Sequence, residues 1–144
     1  MQNGQLQMFQ LINKEGLYCA EAQLPFKNQN RNEKAELVFD TGAALTIVDT
    51  TIIDFLGYSS RDAFRISNLD GAAGRSKGYL IKIPTFRCFG FEMTEFEIAC
   101  HDMNSKLGVA GVLGMNFLRN FRMDINYNTG EIHSIILSSS QKDN

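Results

Sequence analysis

Leu37-Val38-Phe39-Asp40-Thr41-Gly42-Ala43 places one carboxylate at the end of an apolar run, directly before residues suited to a tight turn. Most acidic side chains sit where water solvates them. Here Leu37, Val38 and Phe39 read as a buried strand that carries Asp40 on its lip. Gly42 lets the backbone bend where a side chain would clash, and Thr41 adds a hydroxyl beside the acid. Ala44-Leu45-Thr46-Ile47-Val48 then returns to apolar and β-branched residues. A strand, an acid and a second strand make a catalytic loop or an ordinary Asp-Thr-Gly turn. The tripeptide alone occurs by chance in roughly a few per cent of chains this long. The weight therefore falls on the apolar lead-in and on the continuation from Ala43 to Thr46-Ile47.

The 144 residues suit one domain, which buries about two-thirds of its unfolded surface. A formal charge of -2 provides no electrostatic case for nucleic acid or an anionic membrane. No stretch is apolar for long enough to span a bilayer. Met1 to Gln5 lacks the pattern of a secretory signal, so a cytoplasmic location is expected, the alternative being a fragment of a larger, membrane-tethered protein. Cys19, Cys88 and Cys100 are odd in number and widely spaced. They fit neither a disulfide framework nor a zinc site, and read as small apolar residues in or near the core.

Strand signals dominate the remainder. Leu6 to Ile12 and Leu17 to Leu24 form two strand candidates around Asn13-Lys14-Glu15-Gly16. Lys27 to Glu33 is a solvated loop, and Thr50 to Leu56 a short helix capped by Thr50 and stopped by Gly57. Ala63 to Leu69 and Ser76 to Ile83 flank Asp70-Gly71-Ala72-Ala73-Gly74-Arg75, a hairpin tip of glycines and small residues. Its spacing before Lys77 is wrong for a phosphate-binding loop. Phe91 to Ile98 continues as strand, followed by a polar loop from His101 to Lys106. Gly111 to Gly114 is a short apolar strand, Met115 to Arg119 a brief helix, and Phe121 to Tyr127 alternates like a half-buried strand. It turns at Asn128-Thr129-Gly130 to pair with Ile132 to Leu137, leaving Ser138 to Asn144 as a frayed tail.

Asp124-x-Asn126-x-Asn128 copies the start of a calcium loop, but Thr129 stands where Gly is needed and Ile135 where a bidentate Glu is needed. No metal and no cofactor is expected. His101 and His133 stand apart from any nucleophile signature and read as surface or loop residues, and Arg119 and Arg122 as a solvated pair.

Taken together, these segments resemble the retropepsin-like aspartic proteases, the single-lobed relatives of retroviral proteases found also in bacteria. The Asp40 segment through Thr46-Ile47 resembles their catalytic loop, Asp70 to Gly74 their flap, and Val112-Leu113-Gly114 the segment packed beneath the active site. Asn116-Phe117-Leu118-Arg119-Asn120-Phe121 resembles the helix and strand that follow in bacterial members. The resemblance implies a mainly β fold, a closed or partly open barrel with one or two short helices. It covers roughly residues 17–137, with 1–16 as an N-terminal strand or extension and 138–144 as a flexible tail. Asp40, Thr41 and Gly42 would be catalytic, Thr41 tying two loops together and Gly42 allowing their approach. Ala43, Ala44, Asp70, Gly71, Ala72, Ala73 and Gly74 would contact substrate, and Thr46, Val112, Leu113 and Gly114 would support the site. Ala44 replaces the family's usual Asp or Ser, which implies weaker or differently arranged substrate binding.

Peptide hydrolysis needs a base to activate water and an acid for the carbonyl oxygen and leaving nitrogen. A lone exposed Asp, with a pKa near 3.9, does not supply both at neutral pH. Two carboxylates about 4 Å apart repel by on the order of 4 kcal/mol at an effective dielectric of 20, roughly three pKa units between successive protonations. Such a pair holds one proton and plays both roles. With one Asp-Thr-Gly and no Asp-Ser-Gly, the second acid must come from another copy of the chain. The expectation is thus an aspartic endopeptidase with an Asp40/Asp40′ dyad in a symmetric homodimer that captures an extended peptide. Both catalytic loops and the chain ends should meet there, with Ile132 to Leu137 as the inter-subunit strand. The alternatives are a non-hydrolysing dimerisation or peptide-binding module of the same fold, or an unrelated small β-barrel binding protein.

Overall fold

A computed structural model describes residues 4–71, 74–103 and 108–137. The chain opens with strands β1 (Leu6–Gln10) and β2 (Ile12–Lys14), where one continuous strand was expected. The segment is strand on both sides of buried Leu11, but the chain changes sheets there. β2 pairs with β3 (Leu17–Pro25) through a two-residue turn. Glu15 and Gly16 have φ of 52° and 93°, the left-handed pair that suits the twist of a hairpin.

β3 returns antiparallel to β4 (Asn32–Phe39), the apolar lead-in to Asp40. β5 (Ile47–Asp49) leads into helix α1 (Thr50–Phe55). The cap of α1 is Asp49 rather than the expected Thr50: its carboxylate accepts the Thr51 N–H, filling one orphan donor of the first turn. β6 (Arg65–Gly71) and the long β7 (Gly74–Cys88) form the expected hairpin, and β8 (Phe91–His101) follows. Then come β9 (Gly111–Leu113), helix α2 (Met115–Leu118), β10 (Phe121–Asn126) and β11 (Glu131–Ile136).

The larger sheet runs β2-β3-β4-β9-β5-β8-β7-β6, and β3 also pairs with β7. The ladder from β3 through β4, β9, β5, β8 and β7 therefore returns to β3 as a closed ring. Leu24, Leu37, Ile81, Ile83, Ile98 and Leu113 fill it, all fully buried. Phe117 of α2 meets the ring edge-on at Phe86, with ring centres 5.2 Å apart, and Phe86 stacks on Phe96 at 4.5 Å. Cys19, Cys88 and Cys100 are free and buried, as expected of small apolar residues.

The second sheet has the order β1-β11-β10. Ile132 and Ile136 of β11 bury against the core from its inner face. β11 was expected to offer an edge to another subunit. It is instead the central strand, hydrogen-bonded on both sides within its own chain, because the N-terminal β1 occupies the flank that the C-terminal hairpin leaves open. Asp124 and Asn126 belong to regular strand, as the alternation from Phe121 to Tyr127 predicts. No helix among the described residues is long and apolar enough to cross a membrane.

Candidate active site

Asp40 follows β4, and its backbone N–H donates to the Leu113 carbonyl at 3.1 Å, extending the parallel β4–β9 ladder by one step. The loop then folds on itself. The Ala43 N–H donates to the Asp40 carbonyl at 3.3 Å, and the Gly42 N–H donates to Asp40 Oδ1 at 2.9 Å. The side chain is thus aimed by its own loop while remaining partly open to solvent. Gly42 is not in a left-handed turn; a Cβ there would lie 3.1 Å from Asp40 Oδ1, a tight contact that would press on the carboxylate. Thr41 and Ala44 are exposed and Ala43 is half-buried.

Helix α2 holds the far half of this loop. The Met115 N–H donates to the Ala43 carbonyl at 2.7 Å, and the Asn116 N–H to the Ala44 carbonyl at 3.0 Å. These are first-turn N–H groups that a helix cannot satisfy internally. Thr46 is fully buried below. Its N–H and its hydroxyl both donate to Asn116 Oδ1 at 2.9 Å, and its Oγ accepts the Gly114 N–H at 3.1 Å. Asn116 Nδ2 in turn donates to the Glu97 carbonyl at 2.8 Å. One side chain therefore ties the loop, α2 and β8 together. Gly114 leaves no alternative residue, since a Cβ would fall 2.4 Å from the Leu45 carbonyl oxygen and 2.9 Å from that of Ala43.

The sheet register defines the surface next to Asp40. Val38, Val112, Ile47, Ala99, Leu80 and Arg65 are successive partners across β4, β9, β5, β8, β7 and β6, so their side chains share one face. Asp40, two residues beyond Val38, falls on that face. Of this row Ala99 and Leu80 are buried, while Val38 and Ile47 are partly exposed. Val112 belongs to this row and is partly exposed, whereas Leu113 is buried and supports it from the core.

Residues 28–120 match the model of the "gag-polyprotein putative aspartyl protease" family. The chain belongs to this family. A crystal structure of a retropepsin-like aspartic protease from Rickettsia conorii shares the fold, with a TM-score of 0.66. The two are 19% identical, and the match covers 90% of this chain and 98% of that one. No curated protein matches the sequence. The architecture is accordingly that of a bacterial retropepsin-like aspartic protease, mainly β with two short α-helices among the described residues.

Within this retropepsin-like frame, the expected site residues divide into two groups. Asp40, Ala43, Thr46, Leu113 and Gly114 come together through the bonds above. Asp70 and Gly71 end β6, Gly74 begins β7, and an exposed Asp70–Arg75 ion pair at 2.9 Å spans the hairpin. No hydrogen bond among the described residues joins this hairpin end to the Asp40 loop. Ala72 and Ala73 lie outside the described residues.

Two residues escaped the sequence reading. Asn116 was noted only as part of a resembling segment, and its buttress to Thr46 spans 70 positions. His101, expected in a loop, ends β8 and is 1% exposed. Its Nε2 lies 2.9 Å from Ser67 Oγ and its Nδ1 3.0 Å from Ser76 Oγ. A serine beside an imidazole has the outline of a nucleophile and base. Burial closes this pair to substrate, and a hydroxyl stands where an orienting carboxylate would be needed. His133 is half-exposed and pairs with Glu131 at 2.8 Å. Burial drives the Cys88 and Cys100 thiols up to about 12, with Asp54 adding to the effect at Cys100, so neither is a ready nucleophile.

Proposed function

We propose that this chain is an aspartic endopeptidase whose dyad is completed by a second copy, Asp40 from each subunit sharing one proton and activating one water. The observation that carries this reading is the Asp40 loop itself. Its carboxylate is held by the Gly42 N–H at 2.9 Å, is partly open to solvent, and makes no ion pair among the described residues. A lone carboxylate so placed is half of an acid–base pair. A twofold axis through paired loops supplies the other half without further sequence.

In this reading Thr41 and Gly42 lie at the contact between loops, and Ala43 and Ala44 border the bound peptide. The β6–β7 hairpin, including residues 70–74, acts as a flap that pairs with the substrate backbone. Residues 17–137 form the protease unit, to which 1–16 contribute β1 and β2. The central place of β11 directs any inter-subunit sheet to the outer edges of β1 or β10. Exposed Ala44 offers the peptide no polar side chain, which favours recognition through apolar contacts and backbone pairing.

The test is cleavage of a degenerate peptide library between about pH 4 and 7, the range in which a proton-sharing dyad works. Cleavage by the wild type and none by Asp40→Asn is expected, with a dimer in sedimentation. Peptide binding without cleavage would leave a recognition module, and a monomer at every concentration would overturn the dyad.

A further inference from the structure

Among the described residues, the hydrogen bonds that tie the outer β6–β7 hairpin to the ring run to one imidazole. Among the described residues β6 pairs only with β7, and β7 pairs with β8 no further out than Tyr79 opposite Cys100. Residues 67–71 and 74–78 therefore project past the end of the β7–β8 ladder. His101 sits at this exit, bonded to Ser67 of β6 and Ser76 of β7. Gly78 makes room for it: a Cβ there would come 2.8 Å from two ring atoms and 2.0 Å from the Cys100 carbonyl oxygen.

A neutral imidazole has one donor and one acceptor, and a hydroxyl serves as either, so both bonds form in either tautomer. A protonated ring has two donors. Both serines must then accept, and the hydroxyl hydrogen of buried Ser67 needs another partner. The charge must also be held away from water. Burial lowers the His101 pKa below the ordinary histidine value, outweighing the upward pull of Asp102. The neighbouring charges offer little relief. Asp49, its register partner on β5, is engaged as the α1 cap, and the Asp102 carboxylate accepts the Thr50 hydroxyl. On β6 the charge on the same face is Arg65, and on β7 the nearest is exposed Lys77 on the opposite face.

We infer that His101 is an acid-triggered latch: protonation of its ring loosens the hold on Ser67 and Ser76 and frees the β6–β7 arm to swing from the ring. This rests on the hairpin serving as the flap of the proposed protease, and it would open the site in acid, where a carboxylate dyad works. A group held neutral in the closed state contributes its full stability above the ordinary histidine pKa near 6.5. That contribution disappears as pH falls toward the folded-state value, and across that window the open fraction grows by up to about tenfold per pH unit.

The experiment is amide hydrogen exchange of residues 66–71 and 74–80 in Asp40→Asn protein at about pH 7.5 and pH 5, on either side of histidine titration, corrected for intrinsic rates. Protection of the hairpin should fall several-fold at the lower pH while that of β3 and β4 persists. His101→Gln keeps a donor and an acceptor but does not titrate, and its hairpin should show no such step. An NMR titration of wild-type His101 should have the same midpoint as the exchange step, which keeps the test intact if the variant does not fold. An equal step in His101→Gln, a mismatch of midpoints, or no step at all overturns the latch. Because no cleavage is measured, an absence of peptidase activity elsewhere leaves this outcome readable.

Discussion

Replacing Asn116 by Leu removes the buttress of the Asp40 loop with little change in volume. The Thr46 N–H and hydroxyl both lose their acceptor, and Thr46 is fully buried. The Glu97 carbonyl loses its donor but lies on a half-exposed residue that water can reach. Each orphaned buried group costs about 1–3 kcal/mol, so two of them at the lower half of that range cost about 3 kcal/mol. At roughly 3 °C per kcal/mol for a domain near this size, the thermal midpoint should fall by about 9 °C. Thr46→Val alone strands the Gly114 N–H and should cost about 1–3 kcal/mol. The two changes break a shared network, so the double variant should cost less than the sum by about 1–2 kcal/mol. Calorimetry or denaturant unfolding of the four proteins measures this, and peptide cleavage should fall alongside. A cost below about 1 kcal/mol for Asn116→Leu, or additivity within about 0.5 kcal/mol, would refute the buttress.

Gly114→Ala forces a methyl against the Leu45 and Ala43 carbonyls and should displace the Asp40 loop, lowering stability by more than about 3 kcal/mol, read from denaturant midpoints. Phe117→Ala empties the centre of the aromatic cluster beneath α2 and should cost about 3–5 kcal/mol in the same measurement. Cys88 and Cys100, held protonated by burial, should react with a thiol reagent at about pH 8 only after denaturant is added, since the thiolate is the reactive form. Fast labelling of either in the folded protein would contradict the packed ring.

The elements around Asp40 were legible because their signals are local. Leu37 to Phe39 announce a buried strand, Asp40 is its next residue, and Gly42 and Ala43 follow at once, so composition and order suffice. The β6–β7 hairpin and the short helix after Gly114 were readable for the same reason. Periodicity also assigned faces correctly, as in the alternation of Phe121 to Ile125.

Partners were another matter. Leu6 to Ile12 carries strand signals throughout, yet it serves two sheets, because such signals specify extended backbone and not which edge is met. The apolar run of β11 marked it as buried but not as already flanked on both sides. Asn116 and His101 carry no local mark of their roles, since a polar side chain becomes a buttress or a latch only when distant backbone and hydroxyl groups close around it. Sequence alone thus determined the fold class and the strand and turn that flank Asp40, through short-range patterning. Tertiary structure decided which edges remain open and which buried polar groups hold the loop and the hairpin, because those bonds depend on contacts between segments far apart in the chain.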